Sequence, residues 1–237
     1  MVANSISVFN FASQSTFKMN QTENQLEALQ EIRNMMERSS KFVSLNGFSG
    51  VFVGLFALIG VGILTAYTQI KIGDSTAEHP YFSLLIKDGK LYLPVLSIYL
   101  IVATSVLLLS FLVSMWLTIQ KAKKYKVSYW DGTAKRLAAN MMIPLLTGGL
   151  LCLIFLYHLQ VQLIAPTMLI FYGMALINGS KYTYPDVRYL GLIEIAVGLI
   201  ASLFVEEGLL CWAFGFGLLH IVYGIMMYFK YETKVLK

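Results

Sequence analysis

The sequence predicts an all-α membrane protein: six transmembrane helices in three hairpins, preceded by a cytoplasmic amphipathic helix. Of the 237 residues, 57% are hydrophobic and only 13% are charged, against roughly 25% charged residues in a soluble domain. Residues 42–70 and 137–180 contain no Asp, Glu, Lys or Arg. Because a membrane span needs roughly 20 apolar residues, the first stretch accommodates one span and the second accommodates two.

The first 41 residues are predicted to lie outside the membrane. Residues 1–18 lack the basic segment and apolar core of a signal peptide, so we expect a disordered extension. Residues 19–41 have the pattern of an amphipathic helix, in which Thr22 and Gln25 form a capping box. The polar face of this helix is mainly acidic and therefore unsuited to anionic lipid. We expect it to pack under the bundle, or to pair with a partner protein or a second copy.

The transmembrane domain is predicted at residues 42–229, with a cytoplasmic tail at 230–237. The polar residues Gln160 and Gln162, with Pro166, break the long apolar stretch, and Glu207 centres the turn between the last two spans. The six predicted spans are residues 47–69, 91–119, 138–158, 163–179, 189–205 and 208–229.

The distribution of basic residues predicts the orientation of the chain. With six spans, 15 of the 18 Lys and Arg residues fall on the side that also holds both termini. Cytoplasmic loops retain Lys and Arg. We therefore expect a protein of the bacterial inner (cytoplasmic) membrane with both termini in the cytoplasm.

Glycines in the spans are candidates for helix packing. Gly50 and Gly54 form a GxxxG motif, which lets a neighbouring helix approach closely, although such motifs also arise by chance in glycine-rich spans. The segment 47–57 aligns weakly with 191–201, and Tyr172-Gly173 aligns with Tyr223-Gly224. This internal repeat favours three related hairpins formed by spans 1–2, 3–4 and 5–6.

The last hairpin carries regular glycine spacings. The pattern consists of Gly191, Gly198, Leu199 and Ala201 in the fifth span, with Gly217 and Gly224 in the sixth. It resembles the helical hairpins of the HdeD-like acid-resistance membrane family, although Glu206-Glu207 stands where that family has a proline. The chain is also similar, over residues 32–42 and 220–232, to six-helix bacterial inner-membrane proteins that carry no assigned activity. The resemblance implies six helices in repeated hairpins and, by analogy alone, a role in acid stress.

Glu194 and His220 form the sharpest candidate site. Each lies 13 residues from Glu207, so equal rise along the two helices places them at the same depth. An ionisable residue inside a membrane is costly and points to function, and a carboxylate beside an imidazole is suited to proton transfer or cation binding. Tyr223, three residues after His220, is in position to share the site. A structural hydrogen bond between the two helices, or a Glu194 side chain that reaches the interface near Arg188, remain alternatives.

The sequence contains weak candidates for a metal site near the outer surface: His79, His158, Glu206 and Glu207. Their spacing matches no known ligand motif, so we expect no metal, and we also expect no cofactor and no catalytic residues. The chain has no basic arm with interleaved aromatic residues, which argues against nucleic-acid binding. The expected partners are the lipid bilayer and, through the N-terminal helix, another protein or a second copy.

Three functions remain open from the sequence. The first expectation is a non-enzymatic membrane protein with an interaction or stress-related role. The alternatives are a small permease or channel, proton-linked through Glu194 and His220, and a membrane enzyme that acts on lipid or quinone.

Overall fold

Apolar helices make up most of the described chain. The computed structural model describes residues 47–69, 81–124 and 130–232. The predicted segments 1–18 and 19–41, His79 and residues 233–237 lie outside these ranges. The long helices are α1 (Gly47–Thr68), α2 (Leu93–Lys124), α3 (Gly132–Tyr157), α4 (Ile164–Gly179) and α5 (Val187–Leu203).

The C-terminal helix is a continuous run of four segments with two helical geometries. It consists of α6 (Gly208–Trp212), a π-helical segment (Ala213–Leu219), α7 (His220–Met227) and a second π-helical segment (Tyr228–Glu232). A π-helical turn is rare and is often found at functional sites. The first of these segments ends directly before His220.

Five helical stretches of the described chain are long and apolar enough to cross a membrane. Helix α5, with 17 residues, is slightly shorter than these five. The structure is therefore that of a helical membrane protein. The five stretches are Gly47–Thr68, Leu93–Lys124, Gly132–Tyr157, Val161–Gly179 and Val205–Tyr231.

A small β-hairpin precedes α2, at the start of the second predicted span. Strands β1 (Ile86–Lys87) and β2 (Lys90–Leu91) pair antiparallel across the two-residue turn Asp88-Gly89. Both turn residues have positive φ, 53° and 69°, as a type I′ turn requires and as the sequence Asp-Gly favours. Residue 91 therefore belongs to a strand, and α2 begins at Leu93.

Two helices extend beyond their predicted ends. Helix α2 continues to Lys124 rather than ending near residue 119, and α3 begins at Gly132 rather than near 138. At the start of α3 the Asp131 side chain accepts a hydrogen bond of 2.7 Å from the backbone N–H of Ala134. Such a cap starts the helix in the polar loop, because helix formation depends on local hydrogen bonding and does not stop where the apolar residues stop.

Glycines line two antiparallel helix contacts. Helix α1 packs against α2 and the C-terminal helix, and α4 packs against α3 and α5. In the first glycine contact, a Cβ atom on Gly50 would lie 3.2 Å from the Cα of Gly224. In the second, a Cβ atom on Gly191 would lie 2.6 Å from the carbonyl oxygen of Gly173. The absence of side chains therefore lets the backbones approach closely in both pairs.

Candidate functional site: a buried glutamate, histidine and tyrosine

Glu194 lies in the middle of α5 on its buried face. Its side chain is 0% exposed and does not extend to the interface near the exposed Arg188. Oε1 lies 3.4 Å from Nδ1 of His220, so the structure brings the two residues into contact. Neither carboxyl oxygen has a hydrogen-bond partner among the described residues. Burial of a carboxyl group without such partners is unfavourable, which marks the group as a candidate for function.

His220 is held by two hydrogen bonds that define its tautomer. Its Nδ1 lies 2.9 Å from the carbonyl oxygen of Gly215, and its Nε2 lies 2.7 Å from the hydroxyl oxygen of Tyr172. Because a carbonyl oxygen only accepts, Nδ1 carries a proton. In the neutral ring Nε2 is then the acceptor, and Tyr172 donates its hydroxyl proton to it. The Nδ1–H group also faces Glu194.

Aromatic rings enclose the imidazole. The ring of Phe216 is stacked on His220 with centroids 6.0 Å apart, and the ring of Tyr172 lies 5.3 Å away. Trp212 extends this set, with its ring 5.0 Å from that of Phe216. Phe216 and Trp212 precede His220 at intervals of four residues, so they lie between the imidazole and the Glu206-Glu207 turn. On that side the imidazole is therefore covered by aromatic rings.

Gly215, in the first π-helical segment, lies directly against the carboxyl group. A Cβ atom at this position would lie 2.6 Å from Oε2 of Glu194 and 2.5 Å from Cδ2 of Leu169. Leu169 is fully buried on α4. The backbone of Gly215 therefore closes the site, while its carbonyl oxygen orients His220.

Tyr223 is half-buried near the site, and its hydroxyl group is not hydrogen-bonded to the site. Its hydroxyl has no hydrogen-bond partner among the described residues. The ring packs with Tyr172 and Tyr184 against a common apolar cluster. This cluster consists of Leu176, Val187 and Leu190. Tyr223 thus lies between the buried site and the end of the bundle at which α5 begins.

An ion pair between Asp186 and Lys230 lies at that end of the bundle. Lys230 donates to both carboxylate oxygens of Asp186, at 2.9 and 2.7 Å, and the Tyr231 hydroxyl donates to one of them at 2.6 Å. Burial alone would raise the pKa of the Asp186 carboxyl, but these hydrogen bonds and the charge of Lys230 hold that pKa below its usual range. The ion pair joins the start of α5 to the end of the C-terminal helix.

The weak metal candidates that the structure describes, His158, Glu206 and Glu207, do not form a group of metal ligands. His158 is exposed at the end of α3 and stacks edge-on with Tyr157. Glu206 is exposed in the last turn and Glu207 is half-buried. Within residues 47–69, 81–124 and 130–232, no three His, Cys, Asp or Glu side chains are grouped as metal ligands.

Sequence reasoning missed Tyr172 and Gly215 as parts of the site. The sequence signal available for Tyr172 is that Tyr172-Gly173 repeats as Tyr223-Gly224, a tyrosine before a helix-packing glycine in both cases. The role of the Gly215 carbonyl has no sequence signal, because a backbone group is present at every residue. No protein-family model, curated protein or solved structure matches this chain.

Proposed function

We propose that this chain is a small proton-linked permease, with Glu194 and His220 as its proton-binding site. The observation that supports this function most is the fully buried Glu194 carboxyl group, whose oxygens have no hydrogen-bond partner among the described residues. A carboxyl group that served only to join helices would be stabilised by hydrogen bonds. A group that must gain and lose a proton instead has to remain available to one.

A proton is the ligand that fits this site. The backbone of Gly215 lies against one carboxyl oxygen and His220 lies 3.4 Å from the other. A proton requires no cavity, whereas a hydrated cation or an organic molecule does. Protonation of Glu194 neutralises the carboxylate, while protonation of His220 creates an ion pair with it. The two states place different electrostatic forces between α5 and the C-terminal helix, which is how a proton would alter helix packing during transport.

The proposed arrangement in the membrane has six spans. Helices α1 to α5 and the C-terminal helix each cross the bilayer as three consecutive hairpins. Both termini lie in the cytoplasm, as the basic residues favour. The N-terminal amphipathic helix and the short tail then belong to the cytoplasmic side.

The test is transport by purified protein in proteoliposomes. Charge movement is recorded on a solid-supported membrane with panels of sugars, amino acids and organic cations at about pH 5–8, the range in which an imidazole titrates. We expect a pH-dependent current with at least one class of solute. Glu194→Gln should reduce that current by about tenfold or more, because the amide does not bind the proton.

Glu206→Gln is the matched control, since it removes an exposed carboxylate from the same hairpin. This variant should keep the wild-type current, and thermal unfolding should establish that both variants fold. Wild-type currents in a folded Glu194→Gln protein would contradict the proposal. So would the absence of any current from the wild-type protein across the panels.

A second candidate function is a non-enzymatic interaction protein of the membrane. Helix α2 favours it, because its apolar central part is left almost entirely exposed by the described residues. Lipid, a partner protein or a second copy would cover this face. Under this alternative Glu194→Gln is tolerated without loss of function, provided that the protein folds.

A further inference from the structure

The two sides of the buried site differ in chemistry. Toward the Glu206-Glu207 turn, the imidazole faces the rings of Phe216 and Trp212, which offer no hydroxyl group. Toward the opposite end of the bundle lie the hydroxyl groups of Tyr172 and Tyr223. Protons move along chains of hydroxyl and imidazole groups and not across apolar rings. The site is therefore suited to proton access from one side.

The two ring nitrogens of His220 face different groups, which gives proton transfer through the ring a direction. Its Nε2 accepts from Tyr172 at 2.7 Å, whereas its Nδ1–H is 3.4 Å from Oε1 of Glu194. A proton that arrives at Nε2 makes the ring cationic, and the ring can then release its other proton from Nδ1 to the carboxylate. Tyr172 is thus the entrance to the imidazole and Glu194 is the acceptor on its far side.

Tyr223 lies between this entrance and the surface of the bundle. It shares an apolar cluster with Tyr172 and Tyr184. Tyr172 lies near it on one side, and Asp186 and Tyr231 lie near it on the other. Its buried hydroxyl has no hydrogen-bond partner in the described part of the chain. A hydroxyl without a fixed partner is free to rotate, as a proton carrier must.

We propose that protons reach Glu194 from the surface at which Asp186 and Lys230 lie, through Tyr223, Tyr172 and His220. This route rests on the proposed function and specifies its side of access, which is the cytoplasmic side in the proposed topology. The charged and titratable groups along it are Asp186 with Lys230, Tyr231 and Tyr184 at the surface, followed by the three carriers and Glu194. Helix α1, which packs on the other side of His220, presents Gly50 and Gly54 there.

The transfer balances at each group. Tyr223 passes a proton to Tyr172 and regains one from the surface, and Tyr172 passes its own proton to Nε2. Nδ1 then releases its proton to Oε1, which becomes a carboxylic acid. Each carrier ends with the number of protons that it had, and one proton has moved from the surface to Glu194. His220 then carries its proton on Nε2, and the reverse exchange of ring protons restores the starting tautomer.

The test is the rate of deuterium exchange at the Glu194 carboxyl group. Wild-type protein in lipid nanodiscs is mixed with D₂O, and the carboxyl infrared band, identified by its loss in Glu194→Gln, is followed in time. Tyr223→Phe removes only the hydroxyl and should slow the exchange by about tenfold or more, with the same final amplitude. Tyr172→Phe should slow it as well.

Tyr99→Phe is the matched control on the other side of the site. Tyr99 packs with Tyr81, Leu209 and Ala213 near the Glu206-Glu207 turn, and its replacement should leave the exchange rate unchanged. Wild-type rates in Tyr223→Phe would overturn the route, as would slow exchange in Tyr99→Phe or a Glu194 band that never exchanges. Transport is a separate readout: if the currents depend on Glu194 but Tyr223→Phe exchanges normally, the route fails while the proposed function stands.

Discussion

At the scale of single residues, the important contrast is between His220 and Glu194. Both nitrogen atoms of His220 have hydrogen-bond partners, Gly215 and Tyr172, whereas neither carboxyl oxygen of Glu194 has a hydrogen-bond partner among the described residues. An unpartnered polar group in a protein interior costs about 1–3 kcal/mol. The fold therefore orients the imidazole firmly and leaves the carboxyl group dependent on its protonation state and on His220.

Gly215→Ala tests how closely the backbone confines Glu194. The new Cβ atom would lie 2.5 Å from Cδ2 of Leu169 and 2.6 Å from Oε2 of Glu194. Since Leu169 is fully buried, we expect the end of the Glu194 side chain to move. The free energy of unfolding should fall by about 1–3 kcal/mol. The carboxyl infrared band of Glu194 should shift.

The control is Gly149→Ala, because a Cβ atom at Gly149 would meet no atom within 4 Å. This variant should leave both the stability and the infrared band unchanged. An unshifted band in Gly215→Ala would indicate that the contact between Gly215 and Glu194 is absent in the membrane.

At the scale of elements, the weak internal repeat of the sequence corresponds to packing partners. Gly54 aligns with Gly198, and Ala57 aligns with Ala201; in both helices these positions are buried. Helix α1 packs against the C-terminal helix as α5 packs against α4. The aligned segments thus occupy equivalent places in two glycine-lined antiparallel pairs, α1 with the C-terminal helix and α5 with α4. Each of these pairs joins helices of different predicted hairpins.

Gly173→Ala should destabilise the α4–α5 pair. Its Cβ atom would lie 2.5 Å from the carbonyl oxygen of Gly191 and 3.0 Å from the backbone nitrogen of Ile195. Backbone atoms cannot move aside as the end of a flexible side chain can, so the two helices must separate. We expect a loss of about 1–3 kcal/mol in the free energy of unfolding, measured by denaturant titration in mixed micelles.

Gly62→Ala serves as the comparison, because Gly62 lies in α1 with no atom within 4 Å of a Cβ position. Alanine favours helix relative to glycine, so this variant should be as stable as the wild type or slightly more stable. Equal stability of the two alanine variants would contradict the close approach of α4 and α5.

At the scale of the whole molecule, hydropathy and charge determine two different properties, membrane insertion and orientation. The apolar stretches decide which segments enter the bilayer, and the basic residues favour an orientation. The chain carries a net charge of +5, and most of its Lys and Arg residues belong to one predicted side. In the proposed topology, the Asp186–Lys230 ion pair and the proposed proton entrance belong to that same side.

Thiol labelling should establish this orientation. Single cysteines replace exposed charged residues: Lys123 and Lys181 on the predicted inner side, and Lys87 and Glu206 on the predicted outer side. In intact cells, a membrane-impermeant maleimide should label only the outer pair. The inner pair should react after the cells are permeabilised.

These variants are made in a background in which the two native cysteines are replaced by serine. Unmodified background protein sets the zero level of labelling. Labelling of position 123 or 181 in intact cells would contradict the proposed topology. If the orientation is reversed, the proton entrance faces the opposite compartment.

The sequence by itself determined that the chain is apolar and helical and roughly where the long helices lie, and it predicted that Glu194 and His220 lie close together. It also contained the Asp88-Gly89 signal for a hairpin. These features are local, because a helix and a tight turn are set by nearby residues and by their own hydrogen bonds.

Only the tertiary structure decided what surrounds Glu194. The approach of Tyr172 from α4, the Gly215 carbonyl as the partner of His220 and the ion pair between Asp186 and Lys230 all join distant segments. The physical reason lies in the membrane. A transmembrane helix is apolar on nearly every face, so its sequence pattern does not reveal which face meets a neighbour. Close packing of the helices determines which faces meet, and therefore which side chains and backbone groups lie together in the buried site.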